Sequence, residues 1–206
     1  MTRVKVCGIT DLGDALAALD AGADMLGFNF YARSPRYVTP AEARKMIERL
    51  PDGVPCVGVF VNEPAPAEVE RIARGAGLGA VQLHGDETPE YCRSLCDLTT
   101  IKALRVGAEY NVETAAAYDT DAVLLDAYVA GERGGTGHTF DWALATLTRE
   151  RVPRLFLAGG LNPDNVAAAL AAVHPYAVDV CSGVETSPGR KSPELMRRFV
   201  EQVKSR

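Results

Sequence analysis

The alternation of its segments constrains this chain most. Eight short β-branched runs lie at residues 3–7, 24–30, 55–61, 79–83, 99–104, 121–126, 153–158 and 176–181. Eight amphipathic stretches interleave with them, at 11–21, 40–50, 66–76, 89–96, 110–117, 140–149, 163–172 and 193–204. Repeated βα units specify a parallel sheet, because each crossover helix returns the chain to pair in the same direction. Eight units also close such a sheet into a (β/α)8 barrel, and 206 residues is near the minimum length for one. An open doubly wound sheet is the rival, but the regularity of the units favours the barrel. Helix starts are legible too. Thr39-Pro40-Ala41-Glu42 is a capping box with proline at the first helical position. Thr88-Pro89, Asn162-Pro163 and Ser192-Pro193 repeat the cap-then-proline pattern. No linker or low-complexity segment divides residues 1–206, which read as a single α/β domain.

Composition narrows the class. No apolar stretch reaches the ~20 residues of a membrane span. The net charge of -5, without a basic stripe, argues against nucleic acid and leaves room for a small anionic substrate. Lys5 and Asp11 interrupt any signal-peptide pattern. The five cysteines form no CxxC motif, and Cys92 and Cys96, four apart on an expected helix, have no histidine nearby. Reduced thiols in a cytoplasmic protein are the expectation, with neither disulfides nor zinc.

Barrels place their chemistry at the C-terminal ends of the strands. The first run ends in Cys7, followed by Gly8-Ile9-Thr10. Most free cysteines are inert filler, so the weight on Cys7 comes from its partners. The sixth run, Ala122-Val123-Leu124-Leu125-Asp126, ends in a carboxyl that is costly to bury unless paired or used. Asp126 is therefore either a loop hydrogen-bonder or an acid whose proton is held by dry surroundings. The fourth run ends in Val81-Gln82-Leu83-His84-Gly85, with His84 equally a turn residue or a site residue. The longest loops, 31–38 and 127–138, are expected to cover the active face. In the first of them Arg36 is a candidate for a bidentate grip on a substrate carboxylate, although most loop arginines are solvated. After the seventh and eighth runs come Gly159-Gly160 and Ser182-Gly183. Loops at these two places commonly cradle a phosphate, whereas a lone Gly-Gly can be only a tight turn. Arg190 and Lys191 default to solvated loop charges.

Lys5 lies two residues before Cys7 and shares its face. If Cys7 reaches the barrel mouth, Lys5 points into the interior and needs a partner. Closure puts the eighth run beside the first, so Asp179 is the expected partner. The pair either favours a Cys7 thiolate or is merely structural.

Together these segments resemble the phosphoribosylanthranilate isomerases of tryptophan biosynthesis. The matching pieces run in order: Lys5-Val6-Cys7-Gly8-Ile9-Thr10; Gly27-Phe28-Asn29-Phe30 with Ser34-Pro35-Arg36-Tyr37; Val57-Gly58-Val59-Phe60-Val61-Asn62; Val81-Gln82-Leu83-His84-Gly85; and Leu124-Leu125-Asp126. They continue through Gly134-Gly135-Thr136-Gly137 and Thr139-Phe140-Asp141-Trp142 to Ala158-Gly159-Gly160-Leu161-Asn162-Pro163 and Val178-Asp179-Val180-Cys181-Ser182-Gly183-Val184-Glu185. The resemblance implies a ribulose-phosphate-binding barrel and an Amadori rearrangement, an aldose–ketose isomerisation. N-(5-phosphoribosyl)anthranilate would become 1-(2-carboxyphenylamino)-1-deoxyribulose 5-phosphate. It implies Asp126 as the acid that protonates the furanose ring oxygen and Cys7 as the base that takes the C2′ proton. Arg36 would hold the anthranilate carboxylate, with His84, Gly159, Gly160, Asp179, Ser182 and Gly183 around the substrate. No cofactor, metal, nucleic acid or membrane partner is implied, and a monomer or homodimer is expected. Two alternatives stay open. A histidine-pathway or bifunctional phosphoribosyl isomerase is disfavoured because such enzymes carry an Asp where this chain has Cys7. A non-catalytic phosphate-ligand-binding barrel needs neither Cys7 nor Asp126.

Overall fold

The computed structural model describes residues 1–107, 110–126 and 142–205. Eight strands, β1 (Arg3–Val6), β2 (Met25–Asn29), β3 (Cys56–Phe60), β4 (Ala80–Leu83), β5 (Thr99–Arg105), β6 (Ala122–Asp126), β7 (Leu155–Ala158) and β8 (Ala177–Val180), form one closed parallel barrel. The seam pairs β1 with β8 in the register Lys5↔Asp179 and Val6↔Val180. Helices α1 (Leu12–Asp20), α2 (Pro40–Ile47), α3 (Pro66–Ala76), α4 (Pro89–Arg93), α5 (Val112–Ala116), α6 (Trp142–Arg149), α7 (Val166–Val173) and α8 (Pro193–Lys204) alternate with the strands. No helix among the described residues is long and apolar enough to cross a membrane.

Successive strand residues point to opposite faces, which divides the core in two. Met25, Val57, Ile101, Ala103, Ala122, Leu124, Phe156, Ala158 and Ala177 fill the barrel interior. Val4, Val6, Leu26, Val81, Leu83, Val123, Val178 and Val180 pack outward under the helices. Helix α8 shows the matching periodicity, with Met196, Phe199, Val200 and Val203 buried on one stripe. Each such side chain contributes ~1.5–3 kcal/mol when removed from water, before entropy is subtracted.

The capping box at Thr39 forms as expected, with Thr39 Oγ1 accepting from Glu42 N and Glu42 Oε2 accepting from Thr39 N at 2.8 Å. Some boundaries differ. Strand β7 starts at Leu155, because Pro153 has no N–H for the ladder. Helix α7 starts at Val166 rather than just after Asn162, whose Oδ1 accepts from Asp164 N and Asn165 N and folds 162–165 into a turn. Helix α4 ends at Arg93, so Cys96 lies beyond it and exposed. One element is new. After a 3-10 turn at Ser182–Val184, β9 (Glu185–Ser187) and β10 (Arg190–Lys191) form an antiparallel hairpin.

Candidate active site

Cys7 extends the barrel ladder one residue past β1, its N–H donating to the Val180 carbonyl at 2.9 Å. Gly8, at φ 75, then turns the chain away. Two glycines make room here. A Cβ on Gly27 would sit 2.8 Å from Cys7 Sγ and 3.1 Å from Lys5 Nζ. A Cβ on Gly8 would sit 2.6 Å from Arg36 Cδ and 2.9 Å from Cys181 Sγ. The thiol, the ammonium and the guanidinium stem thus occupy space that larger residues would close.

Beneath Cys7 the expected pair is present. Lys5 is fully buried, and its Nζ donates to Asp179 Oδ1 at 2.8 Å and across the interior to Gln82 Oε1 at 2.9 Å. Burial pushes the ammonium pKa down, but the charges of Asp179 and Cys7 outweigh it and hold it above its ordinary value. Cys7 is shifted the other way. A hydrogen bond from the Cys181 thiol and the Lys5 charge hold it below the ordinary 9.0, against burial. Cys181 is pushed up in consequence, so the two thiols share a proton in favour of a Cys7 thiolate.

Across the mouth, Asp126 ends β6, in register with Ala158 of β7. Its Oδ2 lies 3.2 Å from His84 Nε2, and Gln82 Nε2 lies 3.0 Å from His84 Nδ1. Lys5, Gln82, His84 and Asp126 therefore form one continuous hydrogen-bonded run from β1 through β4 to β6. His84 and Asp126 are 23 % and 22 % exposed, so the run emerges at the surface at its Asp126 end.

Arg36 meets Glu185 through two parallel bonds, Nε to Oε1 at 2.9 Å and Nη2 to Oε2 at 2.6 Å. The hydrogen bonds from Arg36 and Lys191 lower the Glu185 pKa despite burial, and Glu185 raises that of Arg36. Lys191 is a correction to the sequence reading. It is buried, not solvated, with Nζ at 2.8 Å from Glu185 Oε1 and 3.2 Å from the Cys181 carbonyl. The hairpin causes this by folding Lys191 back over Glu185. Arg190, on the opposite face, is exposed as expected.

The loops after β7 and β8 meet. Gly159 and Gly160 have φ 90 and 64, and Asn165 Nδ2 donates to the Gly160 carbonyl at 3.0 Å. A Cβ on Gly183 would strike the Leu161 carbonyl oxygen, so only glycine permits this approach. Ser182 is exposed at the start of the 3-10 turn. The 127–138 loop and the Gly134-to-Asp141 motif pieces lie outside the described residues.

Sequence reasoning missed Gln82, Cys181, Glu185 and Lys191 as members of the site. Pro188-Gly189 was the available signal for the hairpin. For Gln82 the signal was its parity with His84, two residues on along β4. A cleft of about 570 Å3 among Arg93, Thr100, Asp121 and Arg154 opens at the opposite, N-terminal rim of the strands and holds none of these groups. Among the described residues no cluster of His, Cys, Asp and Glu is placed to hold a metal.

Comparison with known proteins places this arrangement. The family model described as N-(5'-phosphoribosyl)anthranilate (PRA) isomerase matches residues 4–202. The N-(5'-phosphoribosyl)anthranilate isomerase of Trichlorobacter lovleyi is 50 % identical over 204 residues, covering 99 % of this chain and 98 % of that protein. The crystal structure of phosphoribosyl anthranilate isomerase from Thermotoga maritima superposes with a TM-score of 0.92 at 46 % identity, covering 100 % of both chains. A crystal structure of such an isomerase in complex with reduced 1-(o-carboxyphenylamino)-1-deoxyribulose 5-phosphate matches with a TM-score of 0.89 at 44 % identity, again over 100 % of both chains.

Proposed function

Since the chain belongs to the N-(5'-phosphoribosyl)anthranilate isomerase family, we propose the following assignment of its residues to the reaction. The enzyme converts N-(5'-phosphoribosyl)anthranilate to 1-(2-carboxyphenylamino)-1-deoxyribulose 5-phosphate in tryptophan biosynthesis. Asp126 gives a proton to the furanose ring oxygen as the C1′–O bond breaks, and the anilino nitrogen lone pair forms the Schiff base. Cys7, as thiolate, removes the C2′ proton, and those electrons neutralise the iminium to give an enolamine. Loss of the enol proton and protonation of C1′ yield the ketone. Atoms and charge balance without a metal or redox cofactor.

The observation that carries this assignment is the opposition of two titratable groups across the barrel mouth. A thiol held toward thiolate ends β1, and a carboxyl ends β6, which lies three places around the ring. Arg36 uses its Nε edge on Glu185. Its five N–H groups leave the Nη1–Nη2 end for the anthranilate carboxylate. Gly159, Gly160, Ser182 and Gly183 are assigned to the phosphate, His84 to the substrate beside Asp126, and Asp179 to the floor beneath it. Residues 1–206 are assigned to one catalytic domain acting as a monomer or homodimer, which mass in solution reads against the 22.0 kDa of one chain. Five unpaired thiols support a reducing, cytoplasmic setting.

The test is the loss of anthranilate fluorescence as the substrate is consumed. Wild type should show it. Asp126→Asn, which keeps the shape and removes the proton, should lose ~10²–10⁴-fold in kcat while still binding a product analogue. Turnover within twofold of wild type would remove Asp126 from this role.

A further inference from the structure

We propose that Gln82 is a positioning residue that locks His84 in one tautomer and so aims the proton of Asp126; the inference rests on the assignment of Asp126 as the acid. An ammonium has three donors and no acceptor, so the amide atom of Gln82 at 2.9 Å from Lys5 Nζ must be the oxygen. That fixes the whole amide, because reversing it would set an N–H2 group against the ammonium. The Gln82 nitrogen then faces His84 Nδ1 at 3.0 Å and donates to it. Nδ1 must be the bare nitrogen, and Nε2 carries the hydrogen. Nε2–H in turn points at Asp126 Oδ2, 3.2 Å away.

Each member is held in place. Gln82 and Lys5 are 1 % and 0 % exposed, so no solvent molecule substitutes for their mutual contact. Asp179 accepts a second Lys5 hydrogen at 2.8 Å and keeps that ammonium charged. Along this run the charged and titratable groups are Asp126 on β6 beside the imidazole and Lys5 on β1 beyond Gln82, with Asp179 on β8 the second partner of Lys5.

The tautomer matters for direction. With Nε2–H donating, the imidazole can stabilise the carboxylate that Asp126 becomes after it protonates the ring oxygen. With Nε2 bare, it would instead accept the Asp126 proton in an O–H···N bond and hold that proton away from the substrate. Gln82 selects the first arrangement without touching the substrate itself. It also makes the orientation of the acid depend on a lysine that supports the base, so one interior network serves both ends of the reaction.

The experiment is 15N NMR of the histidine rings, with the His84 signals identified by their loss in His84→Gln. In wild type, Nδ1 should resonate as an unprotonated nitrogen and Nε2 as a protonated one. Gln82→Glu keeps the shape but leaves only acceptors, so its carboxylate should draw a hydrogen onto Nδ1 and bring that resonance into the protonated range. The same variant should lose about 10- to 100-fold in kcat, part of what a positioned acid supplies, with KM within about threefold of wild type. Gln82→Met, uncharged and of similar bulk, should show the two tautomers mixed, which keeps the test available if the Glu variant does not fold. A wild-type Nδ1 that is protonated overturns the proposal. So does a Glu variant whose tautomer is unchanged, or one whose tautomer switches without loss of kcat. A chain that shows the lock but consumes no substrate would instead overturn the acid assignment, not the lock.

Discussion

Three lysines are buried in this molecule beside carboxylates, and the surroundings of two of them, Lys102 and Lys5, could hardly differ more. Lys102, on β5, faces outward into the layer between sheet and helices. Its Nζ donates to Glu87 Oε2 at 2.6 Å and to the Gly85 carbonyl at 2.7 Å, and lies 5.5 Å from the Tyr118 ring centroid. Glu87 in turn accepts from the backbone N–H groups of Asn62 and Gly85. Every partner is a backbone group, a carboxylate or a ring, and the cluster closes on itself, stapling the loops after β3 and β4. Lys5, on β1, faces inward, and its partners continue: Gln82 leads to His84 and Asp126, and Cys7 leads to Cys181. A buried charge with saturated partners holds loops. One whose partners titrate and run on to the surface tunes chemistry. The distinction lies in what the lysine touches, not in the depth of its burial.

That contrast can be broken at its reactive end first. Cys7→Ser should lower kcat by ~10²–10⁴-fold with the melting temperature nearly unchanged. Cys56→Ser should leave kcat alone, since burial pushes that thiol up to about 11 and away from any thiolate role. Equal losses in both would dissolve the distinction between tuned and inert thiols.

Next in size is Lys102→Met. It leaves Glu87, 2 % exposed, without its counter-ion. Denaturant unfolding should show a loss of ~3–5 kcal/mol, the range for breaking one side of a buried pair. The kcat of the folded enzyme should not change. A fall in kcat without a fall in stability would make Lys102 part of the site.

Lys5→Met should act in the opposite currency. Alkylation of Cys7 follows the thiolate and so rises with pH as the thiol ionises. The Cys181 hydrogen bond and, after it, the Lys5 charge hold that ionisation below 9.0, so removing the charge should move the profile to higher pH, with roughly tenfold lower kcat. Lys102→Met should leave the alkylation profile where it was. An unmoved profile in Lys5→Met would reduce both lysines to packing.

The smallest effect sharpens the same contrast between sequence neighbours. Arg190→Ala removes a side chain 71 % exposed and 3.3 Å from Asp11. It should cost at most about 0.5 kcal/mol in unfolding, and Lys191→Met several times as much.

The fold was legible because its signals are local and repeated: each βα unit carries its own apolar run, and Thr39, Thr88 and Ser192 announce their helices. Cys7, Asp126 and His84 were legible because strand ends in a barrel converge. The Lys5–Asp179 pair followed from parity and closure alone. Gln82 was not legible, because its role depends on the length of a lysine reaching across the interior, which no spacing encodes. Lys191 was misjudged for a related reason. A charge beside Pro188-Gly189 looks solvated until the hairpin folds it onto Glu185.

The seam between β1 and β8 carries a consequence in time. The bond from Lys5 to Asp179 joins residues 174 apart in the chain, and Cys181 and Lys191 reach Cys7 from the same late segment. Closing so long a loop costs on the order of 5 kcal/mol of chain entropy, returned only when the last strand docks. During synthesis the thiol emerges first and its tuning residues last. A ribosome-bound chain short of β8 would therefore carry Cys7 as an ordinary thiol, mostly protonated at neutral pH until the ring shuts. The thiolate is set by the completion of the fold itself.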